Sequence, residues 1–342
     1  MKLMKLPKLD NTSLLYNLRD SKNLFLSRFN LISIDTITLM LSDRCNLRCR
    51  MCDMWEKEKF GYSDLSLAII KKILISSDVK RVRYLSLTGG EPFLREDIAN
   101  IYALIRSLHP RCRVTISSNG VLTGKIIKFF SGANNPRNIS LEISMHGITS
   151  HDHMTQSKGS LRQSEQTIGE IQKRFPKLKL SVKFVITPWN YNEIEKTFDY
   201  CQERGLPLIV KMIENVKSYT NSIRYEENTK QKIFSFTEDQ LQDILCFLNR
   251  VNNNKGVNRY FIEYLVGSLQ GKPINKQCLV SRKSLFFNAN GDIYNCRNFE
   301  PIGNIKEGDV TLHITGYKNR ICRQQRDSSI CQKCVALPRF LI

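Results

Sequence analysis

The chain has 342 residues, 41% of them apolar, and a formal net charge of +20, which describes a globular protein large enough for a sizeable core and for more than one domain. No run of about 18 apolar residues occurs, so no membrane-spanning helix is expected. The basic start "MKLMKLPKLDNTSLL" has no apolar stretch, which argues against a secretory signal. Eleven cysteines without such a signal point to metal ligands or catalytic thiols in a reducing, cytoplasmic setting rather than to disulfides.

Residues 1–33 match no usable pattern and are read as an N-terminal extension. The first strand-like run is Ile34 to Leu41, "IDTITLML", and a cysteine loop follows it directly. A helical pattern covers Asp64–Ser76, with Ser63 or Asp64 as the N-cap. "VRYLSLTGGEP" reads as a strand ending in a glycine turn, and "REDIANIYALIRSL" as the next helix. "CRVTISSNG" is again strand to loop, with a helix near Gly124–Ser131. "NISLEISMHG" is a fourth strand, followed by a helix over Leu161–Phe175. "LKLSVKFVITPWN" is a fifth, followed by a helix over Asn192–Arg204, and "LPLIVKMIE" is a sixth.

Strands alternating with helices in this way are βαβ units with parallel pairing. About six such units curl into a partial (β/α)6 barrel across residues 34–215, where chemistry collects at the C-terminal ends of the strands. The cysteines, "TGGEP", "SSNG" and "SMHG" all follow strands, so one mouth holds them. Residues 216–272 read as a polar loop and an amphipathic helix, "TEDQLQDILCFLNRV", in which Cys246 is read as a core residue. Residues 273–342 read as a small cysteine-rich module.

The stretch "SDRCNLRCRMCDMW" spaces Cys45, Cys49 and Cys52 as C-x3-C-x2-C. Structural zinc sites use four ligands. Three thiolates on a short loop leave one metal position open, which suits an iron–sulfur cluster with one non-cysteine iron; zinc with a distant fourth ligand is the rival. This loop resembles that of the radical S-adenosylmethionine (radical SAM) superfamily, in which C-x3-C-x2-C follows the first barrel strand. Met51 stands where an aromatic residue is usual. The resemblance implies a 4Fe–4S cluster on Cys45, Cys49 and Cys52 whose open iron chelates the amino and carboxylate groups of SAM.

The later motifs resemble the family's in order. Gly89, Gly90, Glu91 and Pro92 resemble the segment that meets the cofactor's amino group, where glycines let the backbone approach a ligand. Ser118 and Asn119 resemble the third-strand end near the ribose and methionine. Ser144, with His146 in place of a usual aspartate and with His151 and Asp152 after it, resembles the fourth-strand segment. Arg162 is a candidate partner for the cofactor carboxylate, against an ordinary place on a helix surface. His146, His151 and His153 are alternatively a metal site.

In the C-terminal module, Asn290-Gly291 between "LFFNA" and "DIYNC" signals a hairpin. Cys278, Cys296, Cys331 and Cys334, with the "GNI" segment at Gly303, resemble the twitch domain, a shorter form of the SPASM domain that holds one auxiliary 4Fe–4S cluster. Zinc on the same thiolates, or Cys322 in place of one of them, are the alternatives.

The resemblance implies reductive cleavage of SAM and hydrogen abstraction from a substrate carbon. A fully cysteine-ligated auxiliary cluster then favours net oxidation, that is dehydrogenation, while epimerisation needs a thiol donor, for which Cys322 is the candidate. Lys211 and Glu214 are candidate general bases. The charge suggests a small, anionic substrate, and a flavodoxin or ferredoxin is the expected electron donor. A peptide maturase is the second reading. An RNA-modifying enzyme, for which no RNA module is visible, and a non-enzymatic electron carrier are further ones. A role like that of the GTP-cyclising relatives is disfavoured by the C-terminal cysteine spacing and by the tail "LPRFLI".

Overall fold

The computed structural model describes residues 34–133, 138–213, 236–251, 265–267, 269–270, 283–296 and 300–310. Its backbone is a succession of strands and helices: β1 (Thr36–Met40), α1 (Leu67–Ile75), β2 (Tyr84–Thr88), α2 (Ile98–Leu108), β3 (Arg113–Ser118), α3 (Thr123–Gly132), β4 (Ile139–Ser144), the short α4 (His151–Thr155), α5 (Ser160–Arg174), β5 (Lys179–Ile186), α6 (Ile194–Glu203), β6 (Leu208–Met212), α7 (Glu238–Val251), β7 (Ser284–Phe287), β8 (Asp292–Tyr294) and β9 (Gly303–Asn304). Among the described residues they form one open sheet in the order β6-β5-β4-β3-β2-β1-β7-β8-β9. The six strands β1 to β6 are parallel, as a partial radical SAM barrel requires.

Alternation along the strands separates two faces. Leu85 and Leu87, Val114 and Ile116, Leu141 and Ile143, and Val182 and Phe184 are buried in the main core, together with Ile70, Ile101, Ile105, Ile126 and Ile168 from the helices. The helices earn their places by period: α2 buries Ile98, Ile101, Tyr102 and Ile105, one stripe at spacings of three and four. The intervening strand residues face the other way and line the interior of the partial barrel. Parallel register sets all six strand ends at one rim: Met40 pairs with Thr88, Ser118 with Ile143, Ser144 with Lys183, and Ile186 with Met212.

The first helix starts later than its sequence suggests, at Leu67, with Ser66 rather than Ser63 or Asp64 as N-cap; the Ser66 hydroxyl accepts the Ile69 N–H at 3.2 Å. Residues 63–65 are held extended against the end of β1 instead. Leu65 N donates to Leu41 O at 3.0 Å, and Asp43 accepts from Ser63 N through Oδ1 at 2.8 Å. Cys246 is a second correction. It lies exposed on α7, because the buried stripe runs through Ile244, Phe247, Leu248 and Val251 and misses it.

The expected hairpin forms, and β7 extends the barrel sheet by pairing parallel with β1. Gly291 has φ +96°, a conformation the turn needs and glycine supplies. Asn288 Nδ2 donates to Asp292 Oδ2, and the Asn304 amide donates to Asp292 Oδ1 at 2.8 Å, so the "GNI" segment closes onto the hairpin as β9.

Phe93 pins the segment after β2 to the helix layer. It is 1% exposed, with ring centroids 5.6 Å from Phe129 and 6.5 Å from Phe130. Phe93→Ala should cost about 3–5 kcal/mol, read as a lowered urea midpoint at unchanged slope.

Candidate functional site

The cysteine loop is clamped by backbone bonds from three sides. From the turn after β2, Gly90 N donates to Ser42 O and Glu91 N to Arg44 O, both at 2.8 Å. From the end of α4, Thr155 O accepts Arg48 N at 3.3 Å and Met154 O accepts Arg50 N at 2.9 Å. From the extended 63–65 stretch come the bonds to Leu41 and Asp43 described above. Cys52 N donates to Cys49 O at 3.0 Å, which turns the loop back on itself.

These contacts explain the paired glycines differently from the sequence reading. A Cβ on Gly89 would lie 2.3 Å from Ser42 O, and one on Gly90 2.0 Å from Arg44 O. The backbone of this turn approaches the cysteine loop, and that approach by itself demands glycine. The side chain of Glu91 is fully buried and ties the rim together. Its Oε1 accepts from Phe93 N (3.1 Å) and Ser118 Oγ (2.9 Å), and its Oε2 from Asn119 N (2.8 Å). Burial pushes its carboxyl up to about 7, against those hydrogen bonds, which favour the ionised form. Pro92 is buried at the start of a short 3-10 turn.

Arg95, which the motif reading passed over, is a second tie. It is 8% exposed and forms a fork with Asp97 (Nε to Oδ1 2.8 Å, Nη2 to Oδ2 2.7 Å), while Nη1 donates to Leu41 O and Leu65 O, both at 3.0 Å. Its sequence signal was thin: one arginine two residues before an aspartate.

Cys45, Cys49 and Cys52 are all partly exposed. Burial pushes the Cys45 thiol up to about 11. It raises Cys49 as well, with added repulsion from Cys52 and Cys45, so the three sulfurs sense one another. A cationic centre would reverse that repulsion. Among the described residues no three His, Cys, Asp or Glu side chains converge on a single ion. His146 and His151 are buried with rings nearly parallel, centroids 6.0 Å apart, and both are held neutral, burial lowering His146 well below its ordinary value and His151 to about 4. His153 instead meets Arg50 at the surface.

The remaining expected residues divide. Asn119 reaches the loop through its side chain, whose amide donates to Asn46 Oδ1 at 2.8 Å, and Ser118 is committed to Glu91. Ser144 ends β4 on the interior face, opposite Lys183. Arg162 is exposed on the first turn of α5. Lys211 lies on the interior face of β6 and attracts the Glu142 carboxylate. Cys296 follows β8 and is partly exposed, and Cys52 packs against an apolar cluster of Met40, Met54, Phe286, Ala289 and Tyr294, which joins the hairpin to the cysteine loop. Glu214, Cys278, Cys322, Cys331 and Cys334 lie outside the described residues. The motif reading placed Ser117 only within "SSNG" and missed Glu142 and Lys183 inside the barrel. Their signal was polar residues alternating with apolar ones within parallel strands.

Residues 39–201 match the radical SAM superfamily. The chain is 28% identical over 204 residues to a GTP 3′,8-cyclase of Helicobacter pylori, a match covering 57% of this chain and 61% of that protein. It is 34% identical over 116 residues to a GTP 3′,8-cyclase of Clostridium perfringens, covering 32% and 35%. The chain thus spans less than two thirds of these relatives. Two solved structures share the fold. Streptococcus suis SuiB bound to its precursor peptide SuiA gives a TM-score of 0.60 at 16% identity, covering 98% of this chain and 78% of that one. The anSMEcpe enzyme with bound AdoMet and a Cp18Cys peptide gives 0.59 at 17%, covering 90% and 89%. Within the matched residues the clamped loop follows the end of β1, and the glycine turn and the rim carboxylate Glu91 both follow the end of β2.

Two outcomes test this rim. Gly90→Ala should lower the melting temperature, whereas Gly124→Ala, in helix α3 with open space around the new methyl, should gain about 0.5–1 kcal/mol. Glu91 holds its proton to a higher pH in the folded chain than its ordinary 4.5, so the stability it contributes is full below about 4.5 and falls as pH rises toward 7. Glu91→Gln should flatten that part of a urea stability profile measured against pH.

Proposed function

We propose that this chain is a radical SAM oxidoreductase, with Cys45, Cys49 and Cys52 holding a 4Fe–4S cluster and Cys278, Cys296, Cys331 and Cys334 an auxiliary one. The observation that carries this is that Cys45, Cys49 and Cys52 sit partly exposed on one loop, which backbone bonds from the Gly89–Glu91 turn hold in place. When bound and reduced, the first cluster supplies the electron that cleaves SAM, and the 5′-deoxyadenosyl radical takes a hydrogen atom from the substrate.

In this reading the chain's own residues do the positioning. Gly89, Gly90, Glu91 and Pro92 set the height of the loop, Ser118 holds Glu91 in place, and Asn119 and Ser144 line the rim along which the cofactor lies. Arg162 is a candidate for the cofactor carboxylate. Lys211 and Glu214 are candidate bases for a dehydrogenation, and Cys322 is the candidate hydrogen donor if the outcome is epimerisation. The substrate class that fits the charge of +20 is a small, anionic molecule, with a flavodoxin or ferredoxin as electron donor. Maturation of a peptide is the second reading; the fold shared with SuiB in complex with its precursor peptide favours it. Cyclisation of GTP, the activity named for the sequence relatives, fits less well because the C-terminal cysteine spacing differs.

Anaerobically reconstituted protein should carry about eight irons, and replacing Cys45, Cys49 and Cys52 together by alanine should keep about half of them. The same variant should release no 5′-deoxyadenosine from SAM under dithionite, measured by chromatography. Continued SAM cleavage by it would overturn the assignment.

A further inference from the structure

Closed (β/α) barrels fill their interiors with branched apolar side chains. Here the interior positions of three adjacent strands are Thr115 and Ser117 on β3, Ser140, Glu142 and Ser144 on β4, and Ser181, Lys183 and Val185 on β5, all partly exposed and all polar but Val185, with Thr115 and Ser140 sharing a hydrogen bond at 2.9 Å. Such a wall is not a packed core. Polar groups taken from bulk water need partners, and a polar ligand supplies them.

Three of these residues form one network. Ser117 Oγ donates to Glu142 Oε2 at 2.9 Å. Lys183 Nζ donates to Ser117 Oγ at 2.9 Å and to the same Glu142 Oε2 at 3.4 Å. Burial works to raise the Glu142 carboxyl, but attraction by Lys183 and Lys211 and the two hydrogen bonds outweigh it, so the group stays ionised. Both partners use Oε2. Among the described residues Oε1 accepts nothing, which leaves a carboxylate oxygen of fixed charge and position on a hydroxyl-lined wall. A carboxylate oxygen beside serine hydroxyls offers the adjacent acceptors that the two hydroxyls of a vicinal diol need.

We infer that Glu142, oriented by Ser117 and Lys183, is a specificity-determining residue that binds a vicinal diol of the substrate, which places that substrate in the class of sugars, sugar phosphates and cyclitols. This rests on the radical SAM reading and names the substrate class for it. The diol can belong to a free ring or to a phosphorylated one, so the probes must separate the two.

The test uses reconstituted, unreduced protein saturated with SAM, titrated calorimetrically with ribose 5-phosphate, 2-deoxyribose 5-phosphate, ribose and myo-inositol. Wild type should bind ribose 5-phosphate at least about tenfold more tightly than its 2-deoxy analogue, because a site built for a hydroxyl penalises its loss. Binding of ribose or myo-inositol at comparable affinity assigns the diol alone; preference for ribose 5-phosphate adds the phosphate. Glu142→Gln should erase the discrimination, since the amide gives its one oxygen to Ser117 and Lys183 and turns an N–H2 toward the ligand. Equal binding of the 2-deoxy analogue by wild type, or no binding of any diol, overturns the inference and needs no variant. Weakened SAM binding by Glu142→Gln also overturns it, by assigning the diol to the cofactor's own ribose. The radical SAM reading is tested separately: wild type that forms no 5′-deoxyadenosine when reduced sinks that reading whatever the calorimetry shows.

Discussion

The site depends on how closely two backbone segments approach. The turn after β2 lies so near the cysteine loop that a methyl group at Gly90 would sit 2.0 Å from a carbonyl oxygen, and the two segments are joined there by peptide hydrogen bonds. A backbone-to-backbone clamp of this kind has few soft torsions. It sets the position of three thiols without using any of their side-chain atoms. Under the proposed cluster assignment, preorganisation of this sort lowers the cost of ordering the loop around the metal.

Around that clamp the burial of charge is selective. Glu91 and Arg95 are both almost wholly removed from water, and each is met by several hydrogen bonds, as a buried ionisable group must be. They differ in what they tie. Arg95 gathers carbonyls from the strand end and the extended 63–65 stretch, whereas Glu91 gathers N–H groups and a hydroxyl from the next rim segments. Together they connect the first three strand ends into one rigid edge. The histidines after β4 play no comparable part: burial keeps His146 and His151 uncharged.

The hairpin near the C-terminal end of the chain joins this edge from the other side. By pairing β7 with β1 and packing Phe286 and Tyr294 against Met40 and Met54, it brings Cys296 onto the sheet that carries the cysteine loop.

Much of this was readable in the residues. Apolar periodicity located the strands and most helices, and cysteine spacing located the loop, because these depend on neighbours close in sequence. Asn290-Gly291 located the hairpin for the same reason. Tertiary structure decided the rest. That Gly90 meets Arg44, that Leu65 stays extended instead of entering a helix, that Cys246 points outward, and that Glu142, Ser117 and Lys183 share one wall are all set by strand pairing across tens of residues. Chain order alone carries no term for which distant backbone will occupy the space beside a given side chain.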